Sequence, residues 1–121
     1  LDEVVQKPVD RNNVAYVTHP YPQKVDAPWE DKWERNWGHV ADHYPVVATE
    51  MGYVVKGQRG EHIPCIGDEK YGEAIINYLD KKGISYTVWC FDPSWAPALL
   101  DDFDFNLTRQ GEFFKRKLQM K

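Results

Sequence analysis

The stretch Tyr44–Gly52, with the sequence YPVVATEMG, decides the fold that we predict for this 121-residue chain. Pro45 disfavours helical backbone in the residue before it and so ends the helical segment on its N-terminal side. Val46–Thr49 is a short β-favouring run that is apolar without alternation, which is typical of strands buried on both faces of a parallel sheet. Glu50 follows directly. The stretch therefore predicts a buried parallel strand with a carboxylate at its C-terminal end.

The residues before this strand predict a helix and an earlier strand. Val14–Thr18 is another short apolar run, and the sequence HPYP at residues 19–22 ends it because its two prolines cannot continue a strand. Pro28 suits the first turn of a helix, where its missing N–H costs nothing. Beyond it, large apolar side chains recur at steps of four, four, three and four and so share one helix face: Trp29, Trp33, Trp37, Val40 and Tyr44. We interpret that face as the inner face of a helix packed on the sheet.

The residues after the strand predict two more helices and a third strand. Residues 53–67 read as a loop, after which Asp68 is a suitable N-cap and Gly83 a suitable end for a helix. Ile84–Phe91 is rich in β-branched and aromatic residues and predicts a strand. A loop rich in Pro and Asp follows. Thr108 then predicts the cap of a last helix, whose apolar anchors would be Phe113, Phe114 and Leu118.

The order strand, helix, strand, helix, strand, helix indicates an α/β fold with a parallel sheet and right-handed crossovers. Three strands, over about 14–18, 46–49 and 84–91, neither close a barrel nor form a comfortable doubly wound sheet. No glycine-rich phosphate loop follows any of them, which argues against a dinucleotide-binding or P-loop protein. We therefore predict that residues 1–121 form one part of a (β/α)8 barrel, with three βα units.

Composition narrows the classes of function. A net charge of -4 and a pI near 5.5 argue against a nucleic-acid partner, and no apolar run has the roughly 18 residues of a membrane span. The five tryptophans suit a core, but also a site that stacks on sugars. The chain does not begin with Met and opens with no charged-then-apolar leader, so we expect a mature or trimmed segment.

Chemically useful side chains follow each predicted strand. His19 and Tyr21 follow the first, Glu50 follows the second, and Trp89 lies near the end of the third. In a (β/α)8 barrel the active site lies at the C-terminal ends of the strands. Successive strand ends would therefore bring these four side chains around one opening.

These segments resemble glycoside hydrolase family 5, the cellulase family of retaining β-glycosidases with a (β/α)8 barrel. The similarity rests on residues 13–21 with their His-x-Tyr, residues 44–52 with a Glu-x-Gly, and residues 84–91 with their Trp, which resemble the sixth, seventh and eighth strands. It implies that Glu50 is the nucleophile and that Tyr21 orients it. It also implies that His19 lines the sugar site and that Trp89 stacks on the sugar at the cleavage point.

The sequence also departs from the family pattern. The family's acid/base Glu lies in an Asn-Glu-Pro type motif on the fourth strand and a conserved Arg lies on the third, and neither motif occurs here. The resemblance thus implies a C-terminal portion of a secreted enzyme that hydrolyses β-1,4-glucan and is inactive by itself. Two alternatives stay open: a self-assembling half-barrel with a structural or carbohydrate-binding role, and a parent enzyme that acts on mannan or another β-glycan.

Other residues carry weaker expectations. Trp95, in the loop after the third strand, is a candidate for a further sugar platform. His39 and His43 have a spacing that occurs in zinc sites, but no third ligand is placed near them, so we predict no metal and no cofactor. Cys65 belongs to the loop after the second strand and Cys90 to the end of the third, and these regions could touch, which leaves a disulfide open.

The exposed sheet predicts association. A three-stranded parallel sheet has two edges of unpaired backbone groups and a face that a closed barrel would cover. We expect three helices on one side to leave some of these strand side chains bare: Val14, Tyr16, Val46, Ala48, Tyr86 and Val88. The chain should therefore form a homo-oligomer or bind a complementary barrel fragment.

Overall fold

Three short parallel strands form the sheet. The computed structural model describes residues 1–120, in which β1 is Tyr16–Thr18, β2 is Val46–Ala48 and β3 is Ser85–Tyr86. The spatial order is β1-β2-β3, with both neighbouring pairs parallel. The predicted α/β order and parallel pairing are therefore confirmed over the described residues.

The third strand is much shorter than the predicted 84–91. After Tyr86 the backbone still runs beside the end of β2 and the residues that follow it. Thr87 N donates to Ala48 O at 2.9 Å, and Trp89 N donates to Met51 O at 2.8 Å. Cys90 N instead donates to Pro97 O, in the loop that follows. The chain thus leaves the sheet by pairing with its own loop, and Trp89 lies beyond the strand rather than on it.

The predicted helix over residues 29–44 is wrong in one respect, because it consists of two pieces. Helix α1 is Glu30–Asn36, and a 3₁₀ helix spans Gly38–Asp42. Trp37 separates them with φ −157° and ψ −26°. A Cβ on Gly38 would lie 1.7 Å from the Tyr78 hydroxyl oxygen, so the backbone passes very close to the next helix at this point. Trp33, Trp37 and Val40 are buried as predicted.

Both later helices have the predicted caps. Helix α2 is Glu69–Lys82, in which the Asp68 side chain accepts from Lys70 N and Gly83 ends the helix with φ +67°. Helix α3 is Arg109–Gln119, capped by the Thr108 hydroxyl, which accepts from Gly111 N. Phe113 and Phe114 are buried as predicted. The prediction for Leu118 is wrong: it is 66% exposed, because it lines an open groove beside β3 rather than the core.

The core lies between the sheet and the helices and is built from stacked and edge-on aromatic rings. Trp33 contacts Tyr71 edge-on at 6.2 Å, and Tyr53 contacts Tyr71 and Phe113 edge-on at 6.3 and 5.8 Å between centroids. Such geometries are favoured by the ring quadrupoles and add to the burial of apolar area. The cluster joins α1, α2 and α3 and supports the sheet from one side.

Most of the strand side chains predicted to be bare are packed against the helices, although Tyr86 and Val88 also line the open groove beside β3. Val46 and Ala48 are buried, and Tyr16, Tyr86 and Val88 pack partly buried against the core, because strand side chains alternate and this set points to the helices. The opposite set is Val17, Val47 and Ser85, which stand in register across the three strands. Val17 is 47% exposed. The opposite face of the sheet therefore presents the partly exposed Val17 and the half-buried Val47 beside the polar Ser85.

None of the α-helices within residues 1–120 has the length and apolar character that a membrane crossing requires.

Candidate active site

Glu50 is the second residue after the end of β2, and the segments that follow β1 and β3 lie close to it. Its carboxylate oxygen Oε2 accepts a hydrogen bond of 3.0 Å from the Tyr21 hydroxyl. The same oxygen lies 3.5 Å from His19 Nδ1, and the two form an ion pair when the imidazole is protonated. About a third of each of the His19 and Glu50 side chains is exposed. The carboxylate is thus held by two groups from the turn after β1 and is still open to a ligand.

Tyr21 is placed to remain a hydrogen-bond donor. Burial, and then its hydrogen bond to the Glu50 carboxylate, raise the pKa of the Tyr21 phenol well above its usual value. The turn that carries Tyr21 is held by α2, because the buried Tyr71 hydroxyl of that helix donates to Pro20 O. The neutral phenol therefore faces Glu50 in a fixed orientation.

His19 contacts two successive residues of the segment after β2. Its Nε2 lies 2.9 Å from Thr49 Oγ1, while its Nδ1 faces Glu50. Thr87 Oγ1 donates to the Thr49 carbonyl at 2.6 Å, which ties the segment after β3 to the same residue. All three strand ends are therefore connected through Thr49 and Glu50.

Trp89 is held near this cluster by its backbone and its ring. Its side chain packs, partly buried, against a small apolar cluster of Tyr21, Val54 and Cys65. Its N–H donates to Met51 O at 2.8 Å, and the peptide bond between Trp89 and Cys90 is cis. The expected convergence of His19, Tyr21, Glu50 and Trp89 thus matches the geometry of the chain.

Comparison with known proteins identifies the family. The sequence profile described as Cellulase (glycosyl hydrolase family 5) matches residues 1–94. The chain belongs to glycosyl hydrolase family 5. No curated protein sequence matches it.

Solved structures of this family match over nearly the whole chain. A β-glucanase from Saccharophagus degradans is 43% identical over 99% of the chain, with a TM-score of 0.95. The same enzyme in complex with cellotetraose gives 42% identity and a TM-score of 0.94. The catalytic domain of a Thermobifida fusca endoglucanase is 19% identical over 97% of the chain, with a TM-score of 0.72, which shows similarity of fold.

The family 5 chain matches only part of these barrels. It spans 38% of the length of the Saccharophagus β-glucanase and 39% of that of the Thermobifida domain. A partial match at high structural similarity agrees with the predicted portion of a (β/α)8 barrel.

Trp95 is not part of the Glu50 cluster in the described residues. It lies in the loop after β3 with 64% of its surface exposed, and its carbonyl accepts a weak hydrogen bond from the Cys90 thiol. An exposed indole of this kind is available to a ligand, but the contacts that join His19, Tyr21, Glu50 and Trp89 do not include it.

Cys65 and Cys90 are both free thiols, so the disulfide left open by the sequence does not form. Cys65 is buried against Tyr21 and Trp89, and this burial raises the pKa of its thiol to about 11. The thiol is therefore neutral at ordinary pH and acts as apolar packing beneath the site. Within residues 1–120 no three His, Cys, Asp or Glu side chains lie close enough together to hold a metal ion.

Sequence reasoning missed Gln110. This side chain of α3 is 3% exposed and donates from Nε2 to the Trp89 carbonyl at 3.1 Å, while its Oε1 accepts from Tyr53 N at 2.6 Å. The only available signal was its position in the first turn of a helix that returns to the sheet. A Gln there is ordinarily exposed, so the sequence did not mark it.

Proposed function

We propose that this chain is the C-terminal three βα units, strands six to eight, of a retaining β-glycosidase barrel that hydrolyses β-1,4-glucan. The observation that carries the proposal is the contact between the Tyr21 hydroxyl and the Glu50 carboxylate. It joins a carboxylate after β2 to a neutral donor after β1, and leaves the carboxylate accessible. Such an arrangement suits a nucleophile that must be both oriented and reachable.

In the proposed reaction Glu50 attacks the anomeric carbon of the sugar. An ester bond forms between its carboxylate oxygen and that carbon as the glycosidic C–O bond breaks. A second carboxyl group gives its proton to the leaving oxygen, and later takes a proton from the water that cleaves the ester. Tyr21 orients the nucleophile throughout, because its phenol stays protonated.

His19 and Trp89 would shape the sugar site. His19 faces the same carboxylate oxygen and is partly exposed, so it is placed to hydrogen-bond a sugar hydroxyl beside the nucleophile. Trp89 would pack its ring against the C–H face of the sugar at the cleavage point. Trp95, which is exposed further along the same loop, would be an additional platform for the glycan.

The second carboxyl group would come from outside this chain. A retaining mechanism needs two carboxyl groups about 5–5.5 Å apart. The groups that contact Glu50 within residues 1–120 are a phenol and an imidazole, and the acid/base motif of the family does not occur in the sequence. We therefore propose that the chain alone is inactive, and that residues supplying the other five strands complete the enzyme.

The family supports a proposal for the substrate and for the location. The Saccharophagus β-glucanase was solved with cellotetraose, which supports a β-glucan oligosaccharide as the ligand here. A polysaccharide substrate is met outside the cell, so we propose that the complete enzyme is secreted.

The experiment is a comparison of the chain alone with the complete barrel that contains it. Both are assayed on cello-oligosaccharides, mannan and xyloglucan, and the complete barrel is then treated with a 2-deoxy-2-fluoro-cellobioside that traps the covalent intermediate. We expect turnover of cello-oligosaccharides by the complete barrel only, with the label on the peptide that contains Glu50. Glu50→Gln should prevent both turnover and labelling. Glu112→Gln, the same change at an exposed residue of α3, is the matched control and should leave both unchanged. Labelling of any other carboxylate would reject the assignment.

A self-assembling half-barrel is the second candidate. The observation that favours it is the partly exposed Val17 on the sheet together with the apolar groove beside β3. Turnover by the complete barrel would favour the enzyme, whereas a stable assembly of the chain that binds glycan without turnover would favour this alternative.

A further inference from the structure

Gln110 connects the two segments that carry Glu50 and Trp89. From the first turn of α3, its Oε1 accepts from Tyr53 N and its Nε2 donates to the Trp89 carbonyl. The Trp89 N–H in turn donates to Met51 O. Hydrogen bonds therefore connect Met51 to Trp89, Trp89 to Gln110, and Gln110 to Tyr53, so that the segment just after Glu50 is bonded at both ends of this path. Among residues 1–120 Gln110 is the one buried side chain outside the apolar and aromatic types.

The neighbouring glycine leaves the space for this bridge. A Cβ on Gly52 would lie 2.8 Å from Gln110 Oε1 and 2.9 Å from the Trp89 carbonyl oxygen. Both distances are shorter than real Cβ contacts, so a side chain at residue 52 would push the amide or the Trp89 backbone away. The glycine of the Glu-x-Gly segment and the buried amide of α3 thus fit each other.

We propose that Gln110 is a positioning residue that sets the place of the Trp89 ring relative to the Glu50 carboxylate. The inference rests on the proposed function, in which these two groups hold the sugar at the cleavage point. An amide is suited to the task because one end accepts and the other donates. Leaving the buried Tyr53 N–H or the partly buried Trp89 carbonyl without a hydrogen-bond partner would cost free energy. The bridge therefore fixes both segments at once.

The test uses Gln110→Glu and Gln110→Leu in the complete barrel, each in a Glu50→Gln background that prevents turnover. At pH 7.5 the introduced carboxylate still accepts from Tyr53 N but faces the Trp89 carbonyl without a proton. We expect cellotetraose to bind about tenfold more weakly, since a buried charged group faces an acceptor. At pH 5 the buried carboxyl gains a proton, because desolvation raises its pKa, and it can donate again. The affinity for cellotetraose should then recover to within about twofold of that of the parent.

Gln110→Leu should bind cellotetraose more weakly at both pH values, because leucine has no proton to regain. The matched control is Gln119→Glu, the same change on an exposed position of the same helix, and it should leave affinity unchanged at both pH values. Parent-like binding by Gln110→Leu at both pH values, or an equal loss in Gln110→Glu at pH 5 and pH 7.5, would overturn the positioning role.

A second measurement separates this inference from the proposed function. Hydrogen exchange of the Tyr53 amide should accelerate in Gln110→Leu but not in Gln119→Glu, because only the former removes its acceptor. If the unmodified barrel fails to bind cellotetraose, the proposed function fails while this exchange result still reports on the bridge. An unchanged Tyr53 exchange rate in Gln110→Leu would show that the bridge does not hold the segment, and would overturn the inference.

Discussion

The Tyr21 hydroxyl donates to Glu50 Oε2 across 3.0 Å, although the two residues are 29 positions apart in sequence. The bond joins the turn after one strand to the end of the next, which only a parallel arrangement of β1 and β2 brings together. Burial, and then the carboxylate partner, raise the pKa of the Tyr21 phenol. The phenol therefore stays protonated, and keeps donating this hydrogen bond, at neutral pH.

Tyr21→Phe in the complete barrel should lower kcat by about tenfold or more while KM changes little. The ring remains and keeps its packing on Val54 and Cys65, but the hydrogen bond to the proposed nucleophile is lost, and a charge-assisted bond is worth about 1.5–3 kcal/mol. Steady-state kinetics on a cello-oligosaccharide measure both constants. A large rise in KM with an unchanged kcat would contradict an orienting role.

Glu50→Gln in the complete barrel should abolish turnover and leave glycan binding nearly intact. The amide keeps the shape of the carboxylate but cannot form the covalent intermediate. Calorimetry with cellotetraose measures binding, and reducing-sugar release measures turnover. Substantial remaining turnover would show that another residue is the nucleophile.

Trp89→Ala should weaken binding of cellotetraose by about 1 kcal/mol, the value of one aromatic contact beyond its buried area. It should also destabilise the fold, because the ring packs on Tyr21, Val54 and Cys65. Trp95→Ala gives the comparison: its ring is largely exposed, so the free energy of unfolding should change by less than about 0.5 kcal/mol. Calorimetry and thermal unfolding separate the two effects. If Trp89→Ala binds like the parent, Trp89 is packing alone.

Stability of the folded chain should fall as the pH rises above about 10. Burial raises the pKa values of four of the seven tyrosines, namely Tyr21, Tyr53, Tyr71 and Tyr78. Folded-state values above the unfolded value mean that their contribution is complete below the unfolded pKa of 10.0 and is lost as the unfolded state ionises. Ultraviolet titration of the complete barrel should show these phenols ionising only on unfolding. Ionisation of all tyrosines near pH 10 in a folded protein would contradict the prediction.

The chain by itself should associate in solution. Its sheet presents the partly exposed Val17 beside Val47 on the face opposite to the buried set, and a groove of about 540 Å³ beside β3 is lined by apolar residues that include Val88, Phe91 and Leu118. Burying such surface is worth roughly 25 cal/mol per Å². Light scattering at micromolar concentration should report a dimer or larger species. Val17→Lys should shift it toward monomer, whereas Val9→Lys, also at an exposed valine but outside the sheet, should not. A stable monomer of the unmodified chain would exclude association.

The sequence predicted which helices and strands exist better than it predicted where they end. Apolar runs and helical spacing located all three strands and the caps Asp68 and Thr108, since these signals depend on neighbouring residues. They did not show where β3 ends, because Cys90 pairs with Pro97 in a loop rather than with a strand. The break at Trp37 was likewise not visible, since it follows from the close approach of Gly38 to Tyr78, forty residues away in sequence.

The site followed the same division. His19, Tyr21, Glu50 and Trp89 could be grouped in advance, because parallel strand ends meet at one edge. Gln110 could not be found, because its role depends on a buried contact with two backbone groups that no spacing rule connects. The error over which strand side chains are bare has a related cause: alternation gives two sets of side chains, and only the packed helices decide which set they cover.

Tyr71 gives the fold a last consequence. Its ring lies in the aromatic core against Trp33 and Tyr53, while its hydroxyl holds the carbonyl of Pro20 in the turn between His19 and Tyr21. In the complete barrel that we propose, heat resistance and reaction rate would therefore be linked through this residue. Directed evolution that repacks α2 for thermostability would also move the turn whose Tyr21 contacts Glu50. Selection for survival of that barrel at high temperature should therefore recover changes in catalytic rate without any substitution at the proposed sugar site.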